Sequence, residues 1–126
     1  MVEVNAYYEN IYYKIWAEGR LVVFEYKNNA LMGLEYAKEM VSIRRKMFSE
    51  QDLCLVYLTS MIGCYTYEAG HYLATKEGCG GLKKGALIVN TSINKILANS
   101  YIYFCKPVVP GRAFLTKKDA VEWLLL

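Results

Sequence analysis

A chain of 126 residues, 55% hydrophobic and 21% charged, is long enough for one domain that buries roughly two-thirds of its unfolded surface, and it lacks the signature of disorder. The net charge of +3 comes from 15 basic and 12 acidic residues spread along the chain, with Arg44-Arg45-Lys46 and Lys83-Lys84 the only clusters, too weak a basic face to imply nucleic-acid binding, and none is expected. No apolar run approaches the ~20 residues of a membrane span, and with Glu3 and Glu9 near its start the chain is expected to have no signal peptide.

Ile11 to Trp16 and Leu21 to Tyr26 are short runs of aromatic and β-branched residues joined by Ala17-Glu18-Gly19-Arg20, the pattern of a β-hairpin. A helix is predicted from Met32 to Phe48, with Leu34, Ala37, Met40, Val41, Met47 and Phe48 on one face and Glu35, Lys38, Glu39 and Arg45 on the other. Arg44 falls at the edge of the apolar stripe, where its stem covers neighbouring surface.

Leu53 to Leu58 reads as a strand buried on both faces. Thr66 then offers a cap to a helix starting at Tyr67, with Glu68 beside the positive end of its dipole. This helix is predicted to pass Lys76 and stop at Gly78 in a left-handed cap, with Gly78, Gly80 and Gly81 forming a flexible link.

A second apolar strand core follows at Ala86 to Val89, then cap candidates at Asn90-Thr91-Ser92. The next helix carries Ile93, Ile96, Leu97, Ser100, Tyr101 and Phe104 at helical spacing and must end near Cys105, because Lys106 precedes Pro107. Arg112 to Leu115 is a short strand, and Thr116 to Asp119 opens a last helix with Ala120, Trp123 and Leu124 inward. The expected fold is α/β, a single mixed sheet of five strands with four helices in the order ββαβαβαβα over residues 1–126, with parallel connections after the hairpin.

Chemistry is sparse. Cys54, Cys64, Cys79 and Cys105 contain no CxxC pair, and His71 is the single histidine, so no metal or cofactor is expected and the cysteines read as thiols of a reducing cytoplasm. His71 has no orienting acid or nucleophile beside it in sequence. Glu68 and Glu77 read as a helix-start charge and a solvated charge. Gly78-Cys79-Gly80-Gly81 lacks the GK[ST] ending and the strand-to-helix context of a phosphate loop and reads as a linker. A thiol or hydrolytic enzyme using His71 with Cys64 or Cys79 is the least favoured class; no catalytic residue is expected.

The element order, the segment VYLTSMIGCYTYEAGHYL (Val56–Leu73) and the ending FLTKKDAVEWL (Phe114–Leu124) together resemble the STAS/SpoIIAA-like superfamily of anti-sigma-factor antagonist domains. AKEMV at Ala37–Val41 and the AxxWL pattern at Ala120–Leu124 are similar to small bacterial SpoIIAA-like proteins. In the signalling members an Asp-Ser pair precedes the second helix and the serine is phosphorylated by a partner kinase; Tyr65 and Thr66 stand at those positions here. The resemblance therefore implies a non-enzymatic regulatory domain of a cytoplasmic bacterial protein that binds a protein partner. Cys64, Tyr65, Thr66, Tyr67 and His71 are the candidate partner surface, and Thr66 is the candidate phosphosite. The alternative is a small apolar, lipid-like ligand, since the SpoIIAA-like fold is similar to the lipid-binding CRAL-TRIO domains. Apolar and aromatic residues at Tyr7–Trp16 and Trp123–Leu126 also lead to an expected homodimer.

Overall fold

The structure is a computed structural model that describes residues 6–27, 31–58 and 65–126. Its elements in chain order are β1 (Tyr7–Glu9), β2 (Tyr13–Glu18), β3 (Leu21–Tyr26), α1 (Leu34–Met47), β4 (Leu53–Tyr57), α2 (Tyr67–Leu73), β5 (Lys84–Ile88), α3 (Ser92–Cys105), β6 (Gly111–Phe114) and α4 (Lys117–Leu124). The strands form one sheet in the order β1-β2-β3-β4-β5-β6. The β1–β2 and β2–β3 pairs are antiparallel, and β3 to β6 run parallel.

The hairpin turn is tighter than expected. Glu18 pairs with Leu21, leaving Gly19-Arg20 as a two-residue loop, and Gly19 adopts φ 58° as a type II′ turn asks of its first central residue. The sheet has six strands rather than five. Tyr7 to Glu9 pairs with Lys14 to Trp16, a segment too short to show strand periodicity in sequence.

Because each parallel connection steps to the next strand in one direction, right-handed crossovers place α1, α2 and α3 on the same face. Ala37 and Met40 of α1, Ala69 of α2 and Ala98 of α3 accordingly share a core with Phe24, Cys54 and Val89. α4 closes the other face, where Ala120 and Leu124 pack with Val23, Leu55 and Ala86. Each of the last three helices is capped by a threonine: Thr66, Thr91 and Thr116 accept from the backbone N–H of Ala69, Asn94 and Asp119 at 3.1, 3.0 and 3.2 Å.

Three features differ from the sequence reading. Of the α3 stripe, Ile93, Ile96, Leu97 and Phe104 are exposed, while Tyr101 lines the inner side and Ala98 is the residue buried there. The helix is apolar on more than one side, so periodicity alone does not select the inner one, and a small alanine permits the closest approach to the sheet.

Gly78 is not a left-handed cap. α2 ends at Leu73, and the left-handed glycines among the described residues are Gly19 and Gly81. Nor is the segment that follows a flexible link. Thr75 accepts from Cys79 N through its carbonyl and from Gly78 N through its hydroxyl, and the Cys79 carbonyl accepts from Leu82 N. Gly78 is required by close approach, since a Cβ there would stand 2.2 Å from the carbonyl oxygen of Tyr72.

Arg44, placed at the stripe's edge by sequence, is buried within it at 4% exposure, whereas Met47 is exposed. At the chain's ends the apolar residues divide. Tyr13, Ile15 and Leu124 are in the core, and Tyr7, Ile11, Leu125 and Leu126 are exposed.

Candidate functional site

On the face covered by α1, α2 and α3, Cys54 of β4 pairs in register with Gly85 of β5, which pairs with Gly111 of β6. Three small residues therefore lie side by side across the sheet. A Cβ on Gly85 would meet nothing nearer than the Cys54 Cβ at 3.9 Å, so the helices above the row leave a space unfilled. That space is a cavity of about 180 Å³.

Cys54, Gly85 and Gly111 form its floor, with Val56 and Leu87 from the next row. Met40 and Arg44 of α1, Gly70 and Leu73 of α2, and Tyr101 and Ile102 of α3 form its roof. Gly70 holds α2 close to α3, because a Cβ at this position would lie 2.5 Å from the Tyr101 hydroxyl and 2.8 Å from the Tyr65 ring. One end is closed by Gly78, Cys79 and Leu82 of the packed turn.

The lining is apolar apart from a few groups. Burial pushes the Cys54 thiol up to about 12 and raises that of Cys79 as well, so both are neutral thiols at physiological pH. The Cys79 thiol donates to the carbonyl of Leu73 at 3.3 Å. Burial, and then a hydrogen bond with Cys105, raise the phenol of Tyr101.

Arg44 is the exception. Burial is the main influence lowering its pKa, yet a guanidinium that starts so high stays charged. Its hydrogen bond among the described residues runs from Nη2 to the Gly78 carbonyl at 3.2 Å. None of the ion pairs between described residues involves it. The adjoining surface groove carries Arg45 and Lys76 along with Glu77, and Glu77 accepts from the Tyr72 hydroxyl at 2.6 Å.

The residues picked from sequence are divided by this geometry. Tyr65 bridges to Met32 and faces the cavity, its ring 5.7 Å from that of Tyr26 at 62°. Thr66 caps α2. Tyr67 is 79% exposed and His71 is also exposed, their rings stacked 6.2 Å apart on the outer side of α2. Cys64 lies outside the described residues.

Sequence reasoning missed Arg44, Gly85 and Gly111 as members of a site. For Arg44 a signal existed, since it stands four residues after Met40 and four before Phe48 on the buried stripe. For the two glycines no local signal existed, because only strand register brings them together.

Among the described residues no helix is long and apolar enough to cross a membrane, and no group of three or more metal-ligating side chains comes together. Comparison with known proteins places the chain in a family. The sequence profile described as a domain of unknown function, DUF7793, matches residues 15–125. The chain belongs to the DUF7793 family. That match covers the sheet from within β2 to β6 and includes all four helices.

Among solved structures the chain is similar to an uncharacterized protein of the DUF3478 family with a SpoIIAA-like fold from Shewanella loihica PV-4. The TM-score is 0.63 at 17% identity, over 98% of this chain and 99% of the other. The fold is thus SpoIIAA-like, as the strand–helix segment and the closing helix suggested. No curated protein matches the chain.

Proposed function

We propose that this chain is a non-enzymatic domain that takes a small apolar ligand into the cavity beneath α1, α2 and α3. The observation that carries the reading is the floor of small residues, Cys54, Gly85 and Gly111, under a roof that leaves Gly85 uncontacted and reaches the floor at Gly111, where an added Cβ would meet Ile102 at 3.5 Å. Cores are normally packed to crystal-like density. A void of this kind is stabilised when apolar atoms enter it, and an engineered cavity of roughly 150 Å³ already accepts benzene. Binding is favoured over catalysis because His71 is on the outside of α2 while the thiols of Cys54 and Cys79 are buried and neutral.

Titration with 1-octanol tests the reading. A ligand that binds only the folded protein raises the melting temperature with its concentration. A saturable rise is expected, and a melting temperature indifferent to octanol would remove the cavity as a binding site.

The regulatory, partner-binding reading has its own support in the exposed pair Tyr67 and His71 on α2, since exposed aromatics favour interfaces. The inner side of the same helix lines the cavity through Gly70 and Leu73. We therefore place α2 between ligand and partner, so that an occupied cavity is read from outside through Tyr67 and His71. A bacterial, cytoplasmic setting is part of this proposal, supported by free thiols at Cys54, Cys79 and Cys105 and by the bacterial source of the similar structure.

Self-association belongs to the same proposal. Tyr7 and Ile11 at one end of the chain and Leu125 and Leu126 at the other keep exposed apolar surface that a second copy would cover. Light scattering at rising concentration should show a mass above the 14.5 kDa of one chain; a constant monomer mass would remove the dimer.

A further inference from the structure

Arg44 is the buried charged residue of the described chain, and it lines an apolar cavity. An isolated buried cation is costly, and folded proteins normally compensate it with an anion and further hydrogen bonds. Here the compensation within the described residues is one neutral acceptor, the Gly78 carbonyl. The nearby thiols do not supply a negative charge, because burial holds Cys54 and Cys79 protonated. A guanidinium presents five donors in a planar fork that matches an oxyanion of two equivalent oxygens.

The surroundings agree with an anion. The turn that closes this end brings glycines against both neighbouring arginines: a Cβ on Gly81 would lie 3.8 Å from Arg44 Nη1, and one on Gly80 would lie 3.2 Å from Arg45 Nη1. The turn is thus packed closely against the Arg45 guanidinium, whereas that of Arg44 is no nearer than ordinary contact distance. The groove outside carries Arg45 and Lys76 against Glu77, and Glu77 is engaged by Tyr72. The local field at this end is positive.

We infer that the ligand of the cavity is a small carboxylic acid, its apolar body lying over the Cys54, Gly85 and Gly111 floor and its carboxylate paired with the guanidinium of Arg44. The inference rests on the cavity reading above and adds the head group. A carboxylate carries the single charge that one unpaired arginine neutralises, and a body of the size of octanoate suits the space.

Isothermal titration of the full chain with octanoate and with 1-octanol separates the two claims. Octanoate is expected to bind about tenfold more tightly than octanol, the order of gain from a desolvated charge-assisted pair. In Arg44→Met, which keeps the packing length but not the charge, octanoate should lose about tenfold or more while octanol keeps its affinity. Arg44→Lys should retain part of the preference. If the unaltered protein binds octanol but octanoate no more tightly, the head-group assignment is overturned and the apolar cavity stands. If it binds neither, both fall. The comparison of the two ligands on the unaltered protein needs no variant, so a failure of Arg44→Met to fold leaves the result decisive.

Discussion

Cys54 and Gly85 stand opposite one another on adjacent parallel strands, and a Cβ on Gly85 would meet only the Cys54 Cβ, at 3.9 Å. The cavity is therefore built into the sheet rather than opened by a mobile loop. A residue that weakens its strand thus stands where the structure leaves space for a Cβ.

It follows that Gly85→Val should fill the space. Valine gains strand propensity, on a scale spanning about 1 kcal/mol, and buries a side chain. Urea unfolding should show a variant more stable by about 1 kcal/mol, with its response to octanol abolished. A destabilised variant would mean that the roof is nearer the floor than the geometry indicates.

Thr66→Ala tests the helix start that the sequence marked. The Thr66 hydroxyl accepts from Ala69 N, and loss of such a cap costs about 1 kcal/mol. An unchanged unfolding midpoint would mean that the hydroxyl does not cap α2.

Gly78→Ala tests the packed turn. The added Cβ falls 2.2 Å from the Tyr72 carbonyl oxygen and 2.8 Å from Leu73 Cα, both backbone atoms that a rotamer change cannot relieve. Destabilisation of about 1–3 kcal/mol is expected, the range for overpacking. Full tolerance in thermal unfolding would return this stretch to the flexible link that composition suggests.

Alkaline pH should expose the burial of Cys54. Its folded thiol is raised from 9.0 to about 12, so the unfolded chain loses the proton first. The stability this group contributes is complete below pH 9 and disappears progressively as pH rises through 12. Stability measured in urea at steps across this window should fall less steeply in Cys54→Ala than in the unaltered protein. Parallel slopes would contradict the burial.

Much of the architecture was legible because it is written locally. Leu21 to Tyr26 as a strand, the threonine caps at Thr66 and Thr116, and the stop before Pro107 follow from hydrophobic runs, hydroxyl placement and proline geometry within a few residues. The site was far less legible. Gly85 and Gly111 are separated by an entire helix and become neighbours only through the β5–β6 register. Arg44 reads as a snorkelling side chain until the turn at Gly78 to Leu82 is seen to cover it. Along α3 most of the obvious stripe, Ile93, Ile96, Leu97 and Phe104, pointed away from the core, because a helix apolar on several sides carries no mark of its inner face, and Ala98 was the decisive residue.

The most direct test of the cavity is the set of intermolecular nuclear Overhauser effects between bound 1-octanol and the methyl groups of the methyl-labelled protein. The account predicts contacts from the octanol chain to Val56, Leu73, Leu87 and Ile102, which surround the Gly85 floor. Contacts confined to Ile93, Ile96 and Leu97 on the exposed side of α3 would contradict it, placing the apolar ligand on the surface and leaving the cavity empty.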